Sequence, residues 1–499
     1  MLDGVAGSSS PGARQPLRGA LLLAALALAA ACGGSQASED GGLAPCPREL
    51  VSTVCACGGA AVTTGFCCHG APEPEGCSAA VATYHVDPSA AAGGDGSLAR
   101  PFDSWDDVAF APGGTYLQRR GTTFTGRIRI LTSGAPGAWI TLGAYGTGDK
   151  PVVRAVDQHA ILAQSASYVR VQDLRVTTER VSGTSGMHGI VWSRGDRSSN
   201  VLIERCDVGP TAGAGMLLTA IDGVVVRGCT LHDGGTARLG ESADNLHFEN
   251  CHDFLAERNA SWDCREGSTY DASDSPADPA VGEDFTRGVF RYNVARGETH
   301  AAHFKMSGQH ERSFVGLHHN VVYGWADNYA FTLQEHLRGV MIGNVVHDHR
   351  AAFMIDTDRT DVILANNVAH TVGTAILIGQ YGAWPGTSDH NVFFACSQIA
   401  RDWRGGTTTT FPTLADWRAA RGGRADVHSS TADPLFVDAA ARDYRLGPGS
   451  PAIDAGAAFA DPELQYALRP DASDPLLAAT ERQDGLGAGW EIGAFVYLP

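Results

Sequence analysis

The sequence predicts an all-β chain wound into a single-stranded right-handed parallel β-helix, and three observations carry that reading. Asn293, Asn320, Asn344, Asn367 and Asn391 recur at intervals of 27, 24, 23 and 24 residues, the period of a solenoid coil. A β-branched or aromatic phrase runs into these positions and into their earlier equivalents, as in Val201-Leu-Ile-Glu-Arg-Cys206, Val224-Val-Val-Arg-Gly-Cys229 and Phe254-Leu-Ala-Glu-Arg-Asn259. Each coil then holds a second short alternating strand, such as Ala330-Phe-Thr-Leu-Gln334 or Ala352-Phe-Met-Ile-Asp356, and leaves no room for a helix. Parallel strands joined by such crossovers wind right-handed.

The chain opens with an address. Arg14 and Arg18 precede an apolar run from Ala20 to Ala31, which is short for a membrane span and suits a signal peptide. The run ends Leu28-Ala-Ala-Ala-Cys32-Gly33, which resembles a bacterial lipoprotein box. That resemblance implies lipidation at Cys32 and an outer-membrane or cell-surface lipoprotein, with an ordinary secreted protein as the alternative. Membrane contact is expected only through the lipid anchor. Residues 1–32 are therefore read as the signal, 33–81 as a linker plus a Cys-rich module, 82–430 as the β-helix and 431–499 as a closing segment. Cys46, Cys55, Cys57, Cys67, Cys68 and Cys77 crowd into 32 residues, which an exported chain uses for disulfides. Zinc held by these thiols and His69 is the rival.

Ahead of the coils, Phe102-Asp-Ser-Trp-Asp-Asp-Val-Ala-Phe110 predicts a short amphipathic helix capping the open N-terminal end of the solenoid. Along the body, the Asn column is expected to form a ladder of amides between coils. Cys206 and Cys229 occupy the same column as stacked thiols or a disulfide. His232, Trp262, Tyr323, His347 and His370 each follow a ladder position by three residues and are expected to stack rather than to bind metal. Tyr84-His-Val-Asp-Pro-Ser89 at the start, with Asp433-Pro-Leu-Phe-Val-Asp438 and Leu446-Gly-Pro-Gly-Ser-Pro-Ala-Ile-Asp-Ala-Gly456 at the end, resembles bacterial right-handed β-helix proteins of the pectate-lyase-like superfamily. That group includes polysaccharide lyases, glycosidases, epimerases and proteins without activity.

The formal charge of −18 argues against nucleic acid as a partner, and the chain is expected to act as a monomer. Chemistry is expected where the repeat breaks. Asn259 and Asn293 lie 34 residues apart, about ten more than a regular coil. The excess carries Asp271, Asp274, Asp278, Glu283 and Asp284 without a basic residue among them, a set of oxygen donors suited to Ca²⁺. One coil later, in Ala301-Ala-His-Phe-Lys-Met-Ser307, the inward alternation of Ala302, Phe304 and Met306 puts His303, Lys305 and Ser307 outside. Aligning coils on their apolar pairs places His247, Asp271, Lys305 and Thr332 in one outward column. Lys305 is one of only two lysines against 35 arginines; an amine can give up its proton where a guanidinium cannot.

An acidic cluster followed one coil later by a lysine resembles the pectate lyases of polysaccharide lyase family nine. The resemblance implies β-elimination on a uronic-acid polymer, an anionic polysaccharide bridged to the acidic protein by Ca²⁺. Lys305 would take the C5 proton, and the leaving oxygen would be protonated by His303 or water. His247, Thr332, Arg287 and Arg291 are expected to contact substrate, with Arg265 and Arg296 flanking the same cleft. Two other classes stay open: a glycoside hydrolase using Asp356 with Asp358, or Glu335, and a surface-binding β-helix without catalysis.

Overall fold

A computed structural model describes residues 82–498 apart from 183–186, 194, 238–242, 275–286, 311–312, 325–328 and 384–385, together with the backbone of 55–57, 60–62, 65–68 and 71–74. Cys32, Asp278, Glu283 and Asp284 lie outside the described residues, as do the side chains of the Cys-rich module. There, Cys55–Cys57 pairs antiparallel with Ala60–Val62, and Gly65–Cys68 with Ala71–Pro74.

The body is a right-handed parallel β-helix of about ten turns. Each coil contributes three strands, one more than the sequence reading assigned. A typical coil runs Tyr270–Ser273, Gly288–Arg291 and Val294–Thr299, and the next runs Ala302–Gly308, Phe314–His318 and Val321–Tyr323. Middle strands stack into a 12-stranded sheet, and the first and third belong to a 21-stranded sheet. The extra strand begins directly after each ladder Asn and is as short as three residues in Val321–Tyr323 and Val392–Phe394, too short there to register as a period-two pattern.

In-register stacking turns every position into a column. Inward, Tyr270, Phe304, Phe331 and Phe353 stack with ring centroids 4.6, 4.8 and 5.6 Å apart, all of them fully buried. Such offset rings contribute about 1 kcal/mol each beyond their buried area. They also hold rigid the strands whose outward side chains form the candidate site.

At the corner, Asn259, Asn293, Asn320, Asn344, Asn367 and Asn391 form the expected ladder. Each of the first five donates its backbone N–H and its side-chain Nδ2–H to Oδ1 of the Asn one coil on, at 3.0–3.1 Å. The ladder ends at Asn391, whose Nδ2 donates to Asp426 Oδ1 at 3.1 Å and whose backbone N–H donates to Ser429 Oγ at 2.8 Å. Cys206 and Cys229 continue the column as buried free thiols, not a disulfide. The aromatic positions stack in part: His232 lies on Trp262 at 5.1 Å, and His347 meets His370 edge-on at 4.6 Å.

The ends differ from expectation. The N-terminal capping helix is a single 3-10 turn, Trp105–Asp107. The Tyr116 hydroxyl accepts the Ala111 N–H and donates to the Ala109 carbonyl, both at 2.9 Å, which commits the next residues to an extended path. Trp105 is nevertheless buried and donates to Gln118 Oε1 at 2.8 Å. The one α-helix among the described residues, Leu414–Ala420, plugs the opposite end with buried Leu414 and Trp417. A capping box between Thr413 and Asp416 starts it. The segment from 431 onward folds back along the flank. Its Tyr444, Leu446, Leu468, Ile492 and Phe495 cover a column of Val294, Val321, Val345, Val368 and Val392.

Candidate active site

Strand register puts His247 opposite Asp271, Asp271 opposite Lys305, and Lys305 opposite Thr332, the column expected from the apolar alignment. Asp271 is fully buried, and its Oδ2 accepts from Lys305 Nζ at 2.8 Å. Asp271 Oδ1 is buried without a hydrogen bond and faces His247 Nε2 at 3.8 Å. His247 Nδ1 in turn lies 3.2 Å from Oδ2 of Asp244, also fully buried. Asp244 Oδ1 accepts the Ser268 N–H at 2.6 Å. Two carboxylates and two cations therefore alternate along the face, and the charges cancel.

The ionisation of each group follows from this arrangement. Burial alone would push the His247 pKa down, but the Asp271 and Asp244 carboxylates outweigh it and hold the imidazole at about 9. Burial raises Asp271, and the neighbouring Asp244 charge adds to it. The Asp271 charge lifts Lys305 above the usual lysine value, against a smaller opposing effect of burial. The Lys305–Asp271 pair thus holds one proton tightly between two basic atoms. Lys305 keeps 31% of its side chain exposed, while that of Asp271 is wholly covered.

This strand architecture has a solved counterpart. The chain superposes on the crystal structure of pectate lyase Pel9A over 83% of its own length and 96% of the other, with a TM-score of 0.53 at 14% identity. The fold is pectate-lyase-like. Weaker similarity extends to a GH136 lacto-N-biosidase from Eubacterium ramulus (TM-score 0.35, 13% identity, 64% of this chain and 65% of that one) and an alginate lyase from Paenibacillus sp. str. FPU-7 (0.32, 11%, 71% and 99%). No family model matches the chain, and no curated protein matches its sequence.

Within this pectate-lyase-like β-helix several expected site residues stand elsewhere. Arg287 and Arg291 belong to the 12-stranded side and serve structural ion pairs. Arg287 meets Glu463 of the C-terminal segment at 2.9 Å, and buried Arg291 meets Glu257 at 2.7 Å. The turn between strands carries them to a different sheet from Lys305. Arg265 pairs with Asp233 at 3.1 Å, and Arg296 lies over the Trp262 ring at 4.5 Å. Thr332 is in the column but buried, with its hydroxyl 3.4 Å from the Phe304 carbonyl.

His303 does not share the solvent-facing surface with Lys305. It is fully buried, its ring 5.4 Å from His349 and its Nδ1 3.3 Å from the Thr269 hydroxyl. Burial pushes its pKa well down, so it is a neutral packed ring and not a ready proton donor.

The expected calcium cluster does not assemble from the described carboxylates. Asp274 spends Oδ1 on the Gln309 N–H at 2.6 Å and Oδ2 on the Ser313 hydroxyl at 3.0 Å. Asp271 gives Oδ2 to Lys305 and keeps Oδ1 without a hydrogen bond. Neither joins a group of three ligand-bearing side chains among the described residues. Asp278, Glu283 and Asp284 of the expected cluster lie outside the described residues, and positive charge is supplied at this point by Lys305 and His247.

Asp244 escaped the sequence reading. Its signal is position: a carboxylate three residues before an outward His, at the start of the strand below the irregular coil. Glu335, three residues beyond Thr332 on the next strand, is raised by burial and by the Asp274 charge and lowered by the Lys305 charge.

Proposed function

We propose that the protein is a polysaccharide lyase acting on a uronic-acid-containing polymer by β-elimination, with Lys305 as the base. The observation that carries this reading is the Lys305–Asp271 pair, a partly exposed lysine over a carboxylate that burial itself inclines to accept a proton. That a pectate lyase shares the fold supports the choice of a uronate polymer, and the long straight outer face suits an extended chain.

When a polymer covers Lys305 it displaces water from a pair already dry on one side. Loss of water disfavours the charged form of the pair more than the neutral one. The proton then moves from Nζ to Asp271 Oδ2 and leaves a free amine. That amine takes the C5 proton of the uronate; the C5–H electrons form the C4–C5 double bond, and the C4–O bond breaks. Water protonates the departing oxygen, and the hydroxide so formed is neutralised by the Lys305 ammonium. His247, held as a cation, keeps Asp271 and Asp244 compensated throughout. No step here passes through a metal.

The test is incubation of the purified protein with pectate, alginate and glycosaminoglycans, followed by ultraviolet absorbance of unsaturated uronate and by reducing-end titration. Both signals rising together support elimination. Reducing ends without absorbance sink the lyase reading in favour of hydrolysis, for which Glu335 and Asp356, both raised by burial, are the acids to mutate. No product on any polymer returns the protein to the surface-binding class.

A further inference from the structure

Away from the Lys305 face, Asp389, His390 and His428 bring ligand atoms within 4.8 Å of one another, and we infer that they form a binding site for a divalent transition-metal ion. The site lies at the C-terminal end of the solenoid. Asp389 and His390 come from the end of the last strand of the 12-stranded sheet, Thr387–Asp389, and the residue after it. His428 comes from the turn between Asp426 and Ser429 that receives the end of the Asn ladder.

Asp389 and His390 are oriented by contacts outside the cluster, while Asp389 Oδ2 and His428 Nδ1 are hydrogen-bonded to each other. His390 Nδ1 lies 2.7 Å from the Ala455 carbonyl. A carbonyl only accepts, so Nδ1 carries the hydrogen and Nε2 carries the lone pair, the arrangement that commonly fixes a metal-binding histidine. Asp389 Oδ1 accepts two backbone N–H groups, from His390 at 2.9 Å and from His428 at 2.6 Å. Oδ2 is thereby turned toward the two rings, 4.0 Å from His390 Nε2 and 2.7 Å from His428 Nδ1. The imidazoles lie nearly parallel at 4.7 Å.

A tetrahedral ion about 2.0–2.1 Å from each ligand holds ligand atoms roughly 3.3 Å apart. Of the two gaps to Asp389 Oδ2, the wider must close and the narrower open by less than about 1 Å, and the two ring nitrogens start within 4.8 Å of each other. His428 is 63% exposed, so its ring can make that adjustment at little cost in packing. Two imidazoles and one carboxylate select Zn²⁺, Co²⁺ or Ni²⁺ over calcium, which prefers oxygen alone. Binding displaces the Asp389–His428 hydrogen bond, and any proton on His428 Nδ1 leaves to solvent. The ion would join the last strand to the turn that caps the ladder.

Co²⁺ is the probe. Added to the purified full chain, it should give visible absorption bands without thiolate charge transfer and raise the thermal midpoint by a few degrees. His428→Ala and His390→Ala should each reduce the affinity by at least tenfold. His428→Ala, at an exposed ring, should keep the metal-free midpoint of the native protein, which separates lost binding from lost folding. Absence of bands and of any shift overturns the site. So does binding that survives both variants, or bands with thiolate character, since the ion then sits elsewhere.

Discussion

Lys305 Nζ stands 2.8 Å from Oδ2 of Asp271, across one coil boundary, with the lysine side chain partly exposed and the carboxylate fully buried. An exposed ion pair would contribute little. This one is half sheltered, so each partner sets the other's protonation.

Substituting Lys305 tests the base directly. Lys305→Arg keeps the charge beside Asp271 and should leave the fold intact, yet lower kcat by about 10²–10⁴ because a guanidinium does not yield its proton. Lys305→Ala should lose activity and stability together, since it strands Asp271. Because the proton passes within the Lys305–Asp271 pair and is not released to solvent, kcat/KM of the native enzyme should stay level across neutral pH. A climb of about tenfold per pH unit through neutrality would overturn the internal transfer, since the amine would then have to lose its proton to solvent first. Kinetics on whichever polymer yields unsaturated product would check both.

His247 gives a separate titration in stability. Its folded pKa of about 9 lies above the ordinary 6.5, so its contribution is fully present below about pH 6.5 and fades as pH rises through about 9. Thermal midpoints across that window should fall by an amount equivalent to roughly 2–3 kcal/mol, and His247→Gln should remove this component. An unchanged slope in the variant would show that the loss arises elsewhere.

The buried Arg291–Glu257 pair is expected to be structural. Arg291→Met should destabilise by about 3–5 kcal/mol by stranding Glu257, while an Arg291→Met, Glu257→Leu double variant should regain most of that loss. Chemical denaturation would measure both. A selective rise in KM in a stably folded double variant would return Arg291 to substrate binding.

In the Asn ladder, Asn320→Ala deletes its amide and leaves the Asn293 N–H and Nδ2–H without their acceptor. The cost should be about 2–4 kcal/mol, seen as a lower denaturation midpoint. Asn320→Asp keeps the acceptor but adds a buried charge, and should be at least as costly.

The solenoid was legible because its signal repeats. The spacing of Asn293 to Asn391 and the alternation around Phe304 predict the coil and, through register, the neighbours of Lys305. What was not legible depends on contacts between distant parts of the chain. Parity puts His303 outside, but not whether another side chain will cover it, as His349 does. Arg287 and Arg291 look like cleft residues in sequence because they precede Lys305 closely; a coil carries them around a corner to another side. Asp274 reads as a calcium ligand, and nothing in its own segment shows that the Gln309 N–H and the Ser313 hydroxyl donate to it. Asp244 belongs to no apolar pattern, and only its distance to His247 reveals it.

The ladder has a further consequence. Every rung donates toward the C-terminus, so its amide dipoles add head to tail as those of a helix do, and each bond polarises the next. The column's positive pole arrives at Asp426, whose carboxylate receives it. The solenoid is therefore electrically directional. Gain or loss of a whole coil would preserve that alignment, whereas reversing one amide midway would set donor against donor on one side and acceptor against acceptor on the other.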